Sequence, residues 1–205
     1  MAGAGDIAVV LSAALPVWAE QKETLRGLDA AVGDGDLGIT VSSGAAAVVD
    51  ALAANEGKDP GALLQAAGRA FATANPSTFA ALIGGGIMFA AKPLQGKDQV
   101  DVADLLAFGE ALAARIQEKG KSEPGDKTVL DALLPSLVAG RAAESGAVLD
   151  AMRGAARAAV EESTAWESKR GRAGWLGART VGHADPGATA YLLFLDALAE
   201  ATGGE

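Results

Sequence analysis

The chain has 205 residues, is 50% hydrophobic and 21% charged, and carries a net charge of −9. That composition can bury a core and lacks the basic surface that nucleic acid or an anionic membrane would need. It contains no cysteine and one histidine, which excludes disulfides, thiolate nucleophiles, cysteine-ligated metals and multi-histidine sites.

Alanine-rich segments with apolar residues at three- and four-residue spacing predict an all-α protein of eight helices. The first is expected over Asp6–Leu28, the second over Gly38–Ala54 and the third over Pro60–Ala74, with Pro60 suited to a first helical turn. A fourth runs from Ser77 to Ala91 and is stopped by Pro93. Its interior run Gly84-Gly85-Gly86 implies close packing against a neighbouring helix. The fifth spans Val102–Lys119 with Asp101 as N-cap. The sixth covers Lys127–Ala143, with Asp126 as a possible cap and with Lys121 and Lys127 read as solvated. The seventh covers Ala147–Ser168 and the eighth Pro186–Ala201. Short connections favour an antiparallel up-and-down bundle in one domain, residues 1–205. No apolar run reads as a membrane span and no leader signature opens the chain, so the expected location is the cytoplasm.

Two breaks hold the chemistry. Asp29-Ala-Ala-Val-Gly-Asp34-Gly-Asp36-Leu-Gly38 sets three carboxylates within eight residues, with Gly33 and Gly35 on either side of Asp34. Such crowding is repulsive unless a cation is shared, and an all-oxygen set suits Mg²⁺, Mn²⁺ or Ca²⁺. A solvated acidic turn is the alternative. A calcium loop starting at Asp34 fails, because its twelfth position is Ala45. Gly96-Lys97 lacks the rest of a P-loop, so any phosphate must be held by something else; the helix N-termini at Gly38–Thr40 and Asn75–Thr78 are candidates, the second reading equally as an ordinary N-cap. The second break, Gly171 to Gly187, has five glycines, Arg172, Arg179, Trp175 and an Asp185-Pro186-Gly187 turn that opens the last helix. Arginine forks match phosphate oxygens, and Asp185 suits an N-cap. His183 reads as structural.

Leu28-Asp29 through Gly38, Pro124-Gly125-Asp126-Lys127-Thr128-Val129-Leu130-Asp131, and Gly171-Arg172 through Ala188 together resemble the nucleotide-binding, DhaL-type subunit of dihydroxyacetone kinases, in order and spacing. The chain looks like a divergent branch, with Leu37 where that family often has His and Asn75-Pro-Ser-Thr in place of a Gly-Ala-Ser-Gly-Pro-like turn. The resemblance implies an antiparallel eight-helix barrel with ADP or ATP at one end. It implies two Mg²⁺ held by Asp29, Asp34 and Asp36, and phosphates lined by Leu37, Gly38, Ile39, Thr40, Ser77 and Thr78. It places Gly120 and Val129 at the adenosine, and Arg172, Asp185, Pro186 and Gly187 over the nucleotide. It further implies phosphoryl transfer to a short-chain ketose on a sugar-binding DhaK-type partner, with a phosphocarrier protein as a possible donor and a homodimer as a possible assembly. A non-catalytic, ADP-loaded module that reports to a regulator is the alternative function.

Overall fold

The computed structural model describes residues 1–203. Its elements, in chain order, are β1 (Ala2–Gly3), α1 (Ala4–Glu20), α2 (Lys22–Val32), α3 (Leu37–Ala54), α4 (Pro60–Ala74), α5 (Thr78–Ala90), β2 (Gln99–Val100), α6 (Val102–Gly120), α7 (Val129–Ala142), α8 (Val148–Ser163) and α9 (Pro186–Ala201). The expected first helix is therefore two. Gln21, at φ −75° and ψ 9°, separates them, and its N–H bonds back to the carbonyl of Trp18, which tightens the last turn of α1. The expected seventh helix ends at Ser163 rather than Ser168. The two short strands pair antiparallel and tie the N-terminus to the entry of α6.

Neighbouring contacts close a ring in the order α1, α3, α4, α5, α6, α7, α8, α9 and back to α1, while α2 packs on α3 and α9. The fold is an all-α barrel of eight helices plus one. Its largest apolar cluster centres on Trp18, which stacks on Phe71 (5.9 Å between centroids), meets Phe194 edge-on (5.3 Å) and donates its indole N–H to the Ala190 carbonyl at 2.8 Å. By length and composition α3 is apolar enough to cross a membrane, contrary to the expectation from the sequence, with 44% of its residues buried. Val41, Ala45, Val48 and Leu52 place it inside this core.

Close approach of neighbouring helices explains Gly84 and Gly86. A Cβ on Gly84 would meet Ala72 Cβ at 2.6 Å, and one on Gly86 would strike Leu112 of α6, as the glycine run implied. Nothing lies near a Cβ on Gly85, and packing does not explain that residue. Asp101 caps α6 through the Asp104 N–H at 2.8 Å. Asp126 does not cap α7; Thr128 does, in a reciprocal capping box with Asp131.

Candidate functional site

Up-and-down connectivity points every second ring helix the same way. The N-termini of α3, α5, α7 and α9 consequently converge at one end of the barrel, around a cavity of about 750 Å³. Its wall includes Leu37 at the start of α3, Ser77 and Thr78 at α5, Thr128 and Val129 at α7, and Asp185, Pro186 and Gly187 at α9. Four helix N-termini aimed at one space make it electrostatically suited to an anion.

The acidic segment lies on the same wall. One oxygen each from Asp29, Asp34 and Asp36 falls within 4.8 Å of the others. Local structure explains the convergence. Asp29 is in α2, and its carboxylate accepts the Leu37 N–H at 3.1 Å, so the loop folds back on the helix it left. Gly35 takes φ +75°. A Cβ at Gly33 would sit 2.6 Å from Asp29 Oδ1. Asp36 occupies the N-cap position of α3 without a side-chain cap bond, which leaves its carboxylate for the cluster. Partial burial, then the charges of Asp34 and Asp29, raise the Asp36 carboxyl above its ordinary range, with Arg172 opposing. Three crowded carboxylate oxygens with no nitrogen or sulfur among them fit a hard divalent cation such as Mg²⁺.

Facing this cluster, the α8–α9 connection arches over the cavity. Arg170, Gly171, Arg172, Ala173 and Trp175 all line it, and Arg172 Nη1 donates to Asp34 Oδ2 across the mouth. Trp175 is 84% exposed. The connection rests on the Asp126–Lys127 turn: the Lys169 N–H donates to the Asp126 carbonyl at 3.0 Å and Arg170 Nε to the Asp126 carboxylate at 2.6 Å. Burial would raise the Asp126 carboxyl, but the Arg170 and Glu123 donors and the charges of Arg170 and Lys169 hold it below its usual value.

Lys127, expected to be solvated, is 3% exposed, and its ammonium donates to three backbone carbonyls. Burial lowers its pKa, with Asp185 opposing. Asp185 caps α9 by accepting the Ala188 N–H at 2.7 Å, as expected. Burial, aided by the charge of Asp131, pushes its carboxyl up to about 7 against the pull of Ala188 and Lys127. Asp131 is spoken for, accepting the N–H groups of Gly125 (2.6 Å) and Thr128 (2.7 Å).

Of the candidate residues read from the sequence, Asp29, Asp34, Asp36, Leu37, Ser77, Thr78, Gly120, Val129, Arg172, Asp185, Pro186 and Gly187 line the cavity. Gly38, Ile39 and Thr40 do not. The first turn of α3 points Ile39 outward and buries Gly38 against the backbone of α2, where a Cβ would strike the Lys22 carbonyl oxygen. Thr40 is 1% exposed, and its hydroxyl accepts from Asn75 Nδ2 at 2.8 Å. Asn75, part of the departure from the family pattern, thus ties the end of α4 to α3. Ser77 sits at the N-cap position of α5 without a side-chain cap bond, so its hydroxyl is not held by the helix. His183 is exposed and off the cavity wall. Lys127, Thr128 and Arg170 line the cavity and were not among the candidates. The clue available in the sequence was their position beside glycines in two segments already singled out.

Fold and site define the class, an all-α barrel with an acidic, arginine-bridged cavity at one end. The chain belongs to the DAK2 domain family, whose model matches residues 31–200, and within the dihydroxyacetone kinases it is of the DhaL type. It is 30% identical over 188 residues to the PEP-dependent dihydroxyacetone kinase ADP-binding subunit DhaL of Escherichia coli, covering 89% of this chain and 90% of that one. It is 34% identical over 207 residues to an L-erythrulose 1-kinase of Mycolicibacterium smegmatis, covering 96% of this chain but 35% of the kinase. Among solved structures it matches the dihydroxyacetone kinase from C. freundii in complex with AMP-PNP and Mg²⁺, at TM-score 0.72 and 26% identity, over 94% of this chain and 33% of that one.

Proposed function

We propose that this chain binds ADP or ATP with two Mg²⁺ in the cavity and passes the terminal phosphoryl group to a short-chain ketose held by a separate sugar-binding subunit. The observation that carries the reading is the placement of the Asp29–Asp34–Asp36 cluster and Arg172 around the four convergent helix N-termini. An acidic cluster and an anion site belong together when a polyphosphate and divalent cations occupy them jointly. The relatives agree, one being an ADP-binding subunit and one structural match holding AMP-PNP and Mg²⁺.

In this reading Asp29, Asp34 and Asp36 hold the cations. The start of α3 at Leu37 and of α5 at Ser77–Thr78 faces the phosphates. Gly120 and Val129 border the adenosine, and Arg172 with the Asp185–Gly187 turn closes over the nucleotide. Mg²⁺ held by these carboxylates would neutralise charge on the phosphates. The protein contributes position: fixed helix N-termini orient the phosphates, and the arch over the cavity excludes water. We read residues 1–205 as one nucleotide-binding domain at work in the cytoplasm. The sugar site is assigned to a DhaK-type partner, since the cavity wall suits a polyphosphate. The donor is either free ATP or a phosphocarrier that recharges bound ADP, as the PEP-dependent name of the E. coli relative suggests.

Titration calorimetry of ADP with and without Mg²⁺ tests the proposal. Binding is expected only with Mg²⁺, and Asp34→Asn should weaken it at least about tenfold. Mg²⁺-independent binding, or unchanged affinity in the variant, would remove the basis for the metal site.

A further inference from the structure

The structure assigns Lys127 a role as the positioning residue of the α8–α9 arch: its buried ammonium joins the two stems of that arch and so sets Arg172 over the cavity. The inference rests on the cavity being the nucleotide site, and it gives the one lysine buried in its wall a different task from binding phosphate.

Three observations carry it. First, the Nζ partners are all arch or near-arch carbonyls: Thr164 at 3.3 Å, Trp166 at 2.8 Å and Thr180 at 2.8 Å. A lysine ammonium has three protons, and here each meets a carbonyl. Thr164 and Trp166 begin the excursion and Thr180 ends it, so one cation spans both stems. Second, the stems are also joined to each other. The Gly182 N–H donates to the Thr164 carbonyl, and the Ser168 N–H to Thr180 Oγ1, both at 2.8 Å. Thr180 and Ser168 are buried, whereas Trp175 at the tip is exposed. The hydrophobic clusters include no residue of the 164–182 segment, so polar bonds hold the arch. Third, Lys127 adopts φ +60°, a left-handed conformation uncommon for a non-glycine residue. With its protons on carbonyls, Lys127 lacks the free donors of a phosphate-binding lysine.

The test is amide hydrogen exchange of the full chain in the absence of nucleotide. In Lys127→Cys, peptides spanning residues 164–182 should exchange at least about tenfold faster, while α4 and α5 keep their wild-type protection. The chain has no other cysteine, so the introduced thiol can be alkylated in denaturant with 2-bromoethylamine. Its sulfur displaces bromide and restores an ammonium at nearly the lysine length. Refolding should return the arch to slow exchange. Unchanged exchange in the variant, acceleration spread evenly over all helices, or no recovery on alkylation would each overturn the assignment. Should the variant not refold, the wild-type amides of Ser168 and Gly182 decide: slow exchange, together, is expected, and coil-like exchange of both refutes the pin. Adding Mg²⁺ and ADP then gives the functional consequence, a roughly tenfold affinity loss in the variant that alkylation reverses. Failure of wild-type chain to bind ADP would undo the nucleotide reading and leave the exchange result standing, so the two failures are separable.

Discussion

Asp36→Asn should make the protein more stable without cations and less stable with them. Three carboxylates whose oxygens lie within 4.8 Å repel when no cation is shared. Two unit charges at that separation repel by about 0.9 kcal/mol in water-like surroundings and about 3.5 kcal/mol at an effective dielectric of 20. Asp36 faces two such neighbours, and Arg172 offsets part of the repulsion. The site is partly exposed, so the net relief is taken near the lower limit, about 1–2 kcal/mol. The Asp36 side chain makes no cap bond, so α3 should be undisturbed. At about 2–4 °C per kcal/mol for a chain of this size, Tm in EDTA should rise by roughly 2–8 °C. The gain should shrink in 1 M salt, where screening acts within about 3 Å. In Mg²⁺ and ADP the order should reverse. The wild-type chain gains about 2.7 kcal/mol at a hundredfold excess over Kd, and the variant loses most of that. Thermal melts under the two conditions measure both halves. A variant that melts below wild type in EDTA, or keeps the full ligand-induced rise, would refute the reasoning.

Two further outcomes follow from packing and burial. Gly38→Ala places a methyl group against the Lys22 carbonyl and 3.1 Å from the Arg26 N, both backbone atoms of α2 that cannot rotate away. We expect a loss of about 1–3 kcal/mol by denaturant unfolding, with weakened Mg²⁺–ADP binding because α2 carries Asp29; wild-type stability would show that the two helices can separate freely. Asp185 has its folded carboxyl raised from 3.8 to about 7, so the folded state holds the proton more tightly. Its contribution to stability is therefore full below pH 4 and is lost as pH climbs from there to about 7, by on the order of a few kcal/mol. Asp185→Asn keeps an N-cap and removes a titrating group, so the stability–pH curve should flatten in that window; an unchanged slope would assign it to other groups.

Much of this protein is readable along the chain because the physics is short-ranged. Periodicity and caps placed most helices within a few residues: Asp101 and Asp185 each accept the N–H three residues on, as expected of N-caps. The acidic cluster was visible because its members lie within eight residues and Gly33 and Gly35 let the loop turn. Other features depend on partners far away in sequence. Lys127 lies in a polar, glycine-flanked segment that reads as solvated, and its burial is set by carbonyls 37 to 53 residues away. Arg172 meets Asp34 across 138 residues. Thr40 looked like a phosphate contact until the first turn of α3 swung it to Asn75. The break at Gln21 carries no glycine or proline to announce it. Composition and spacing determined a helical protein with an acid-rich turn and an arginine-rich connection, because helix formation and carboxylate crowding are local. Closure of the ring decided that four helix N-termini, the acids and Arg172 face one space, because only packing brings distant segments within hydrogen-bonding distance.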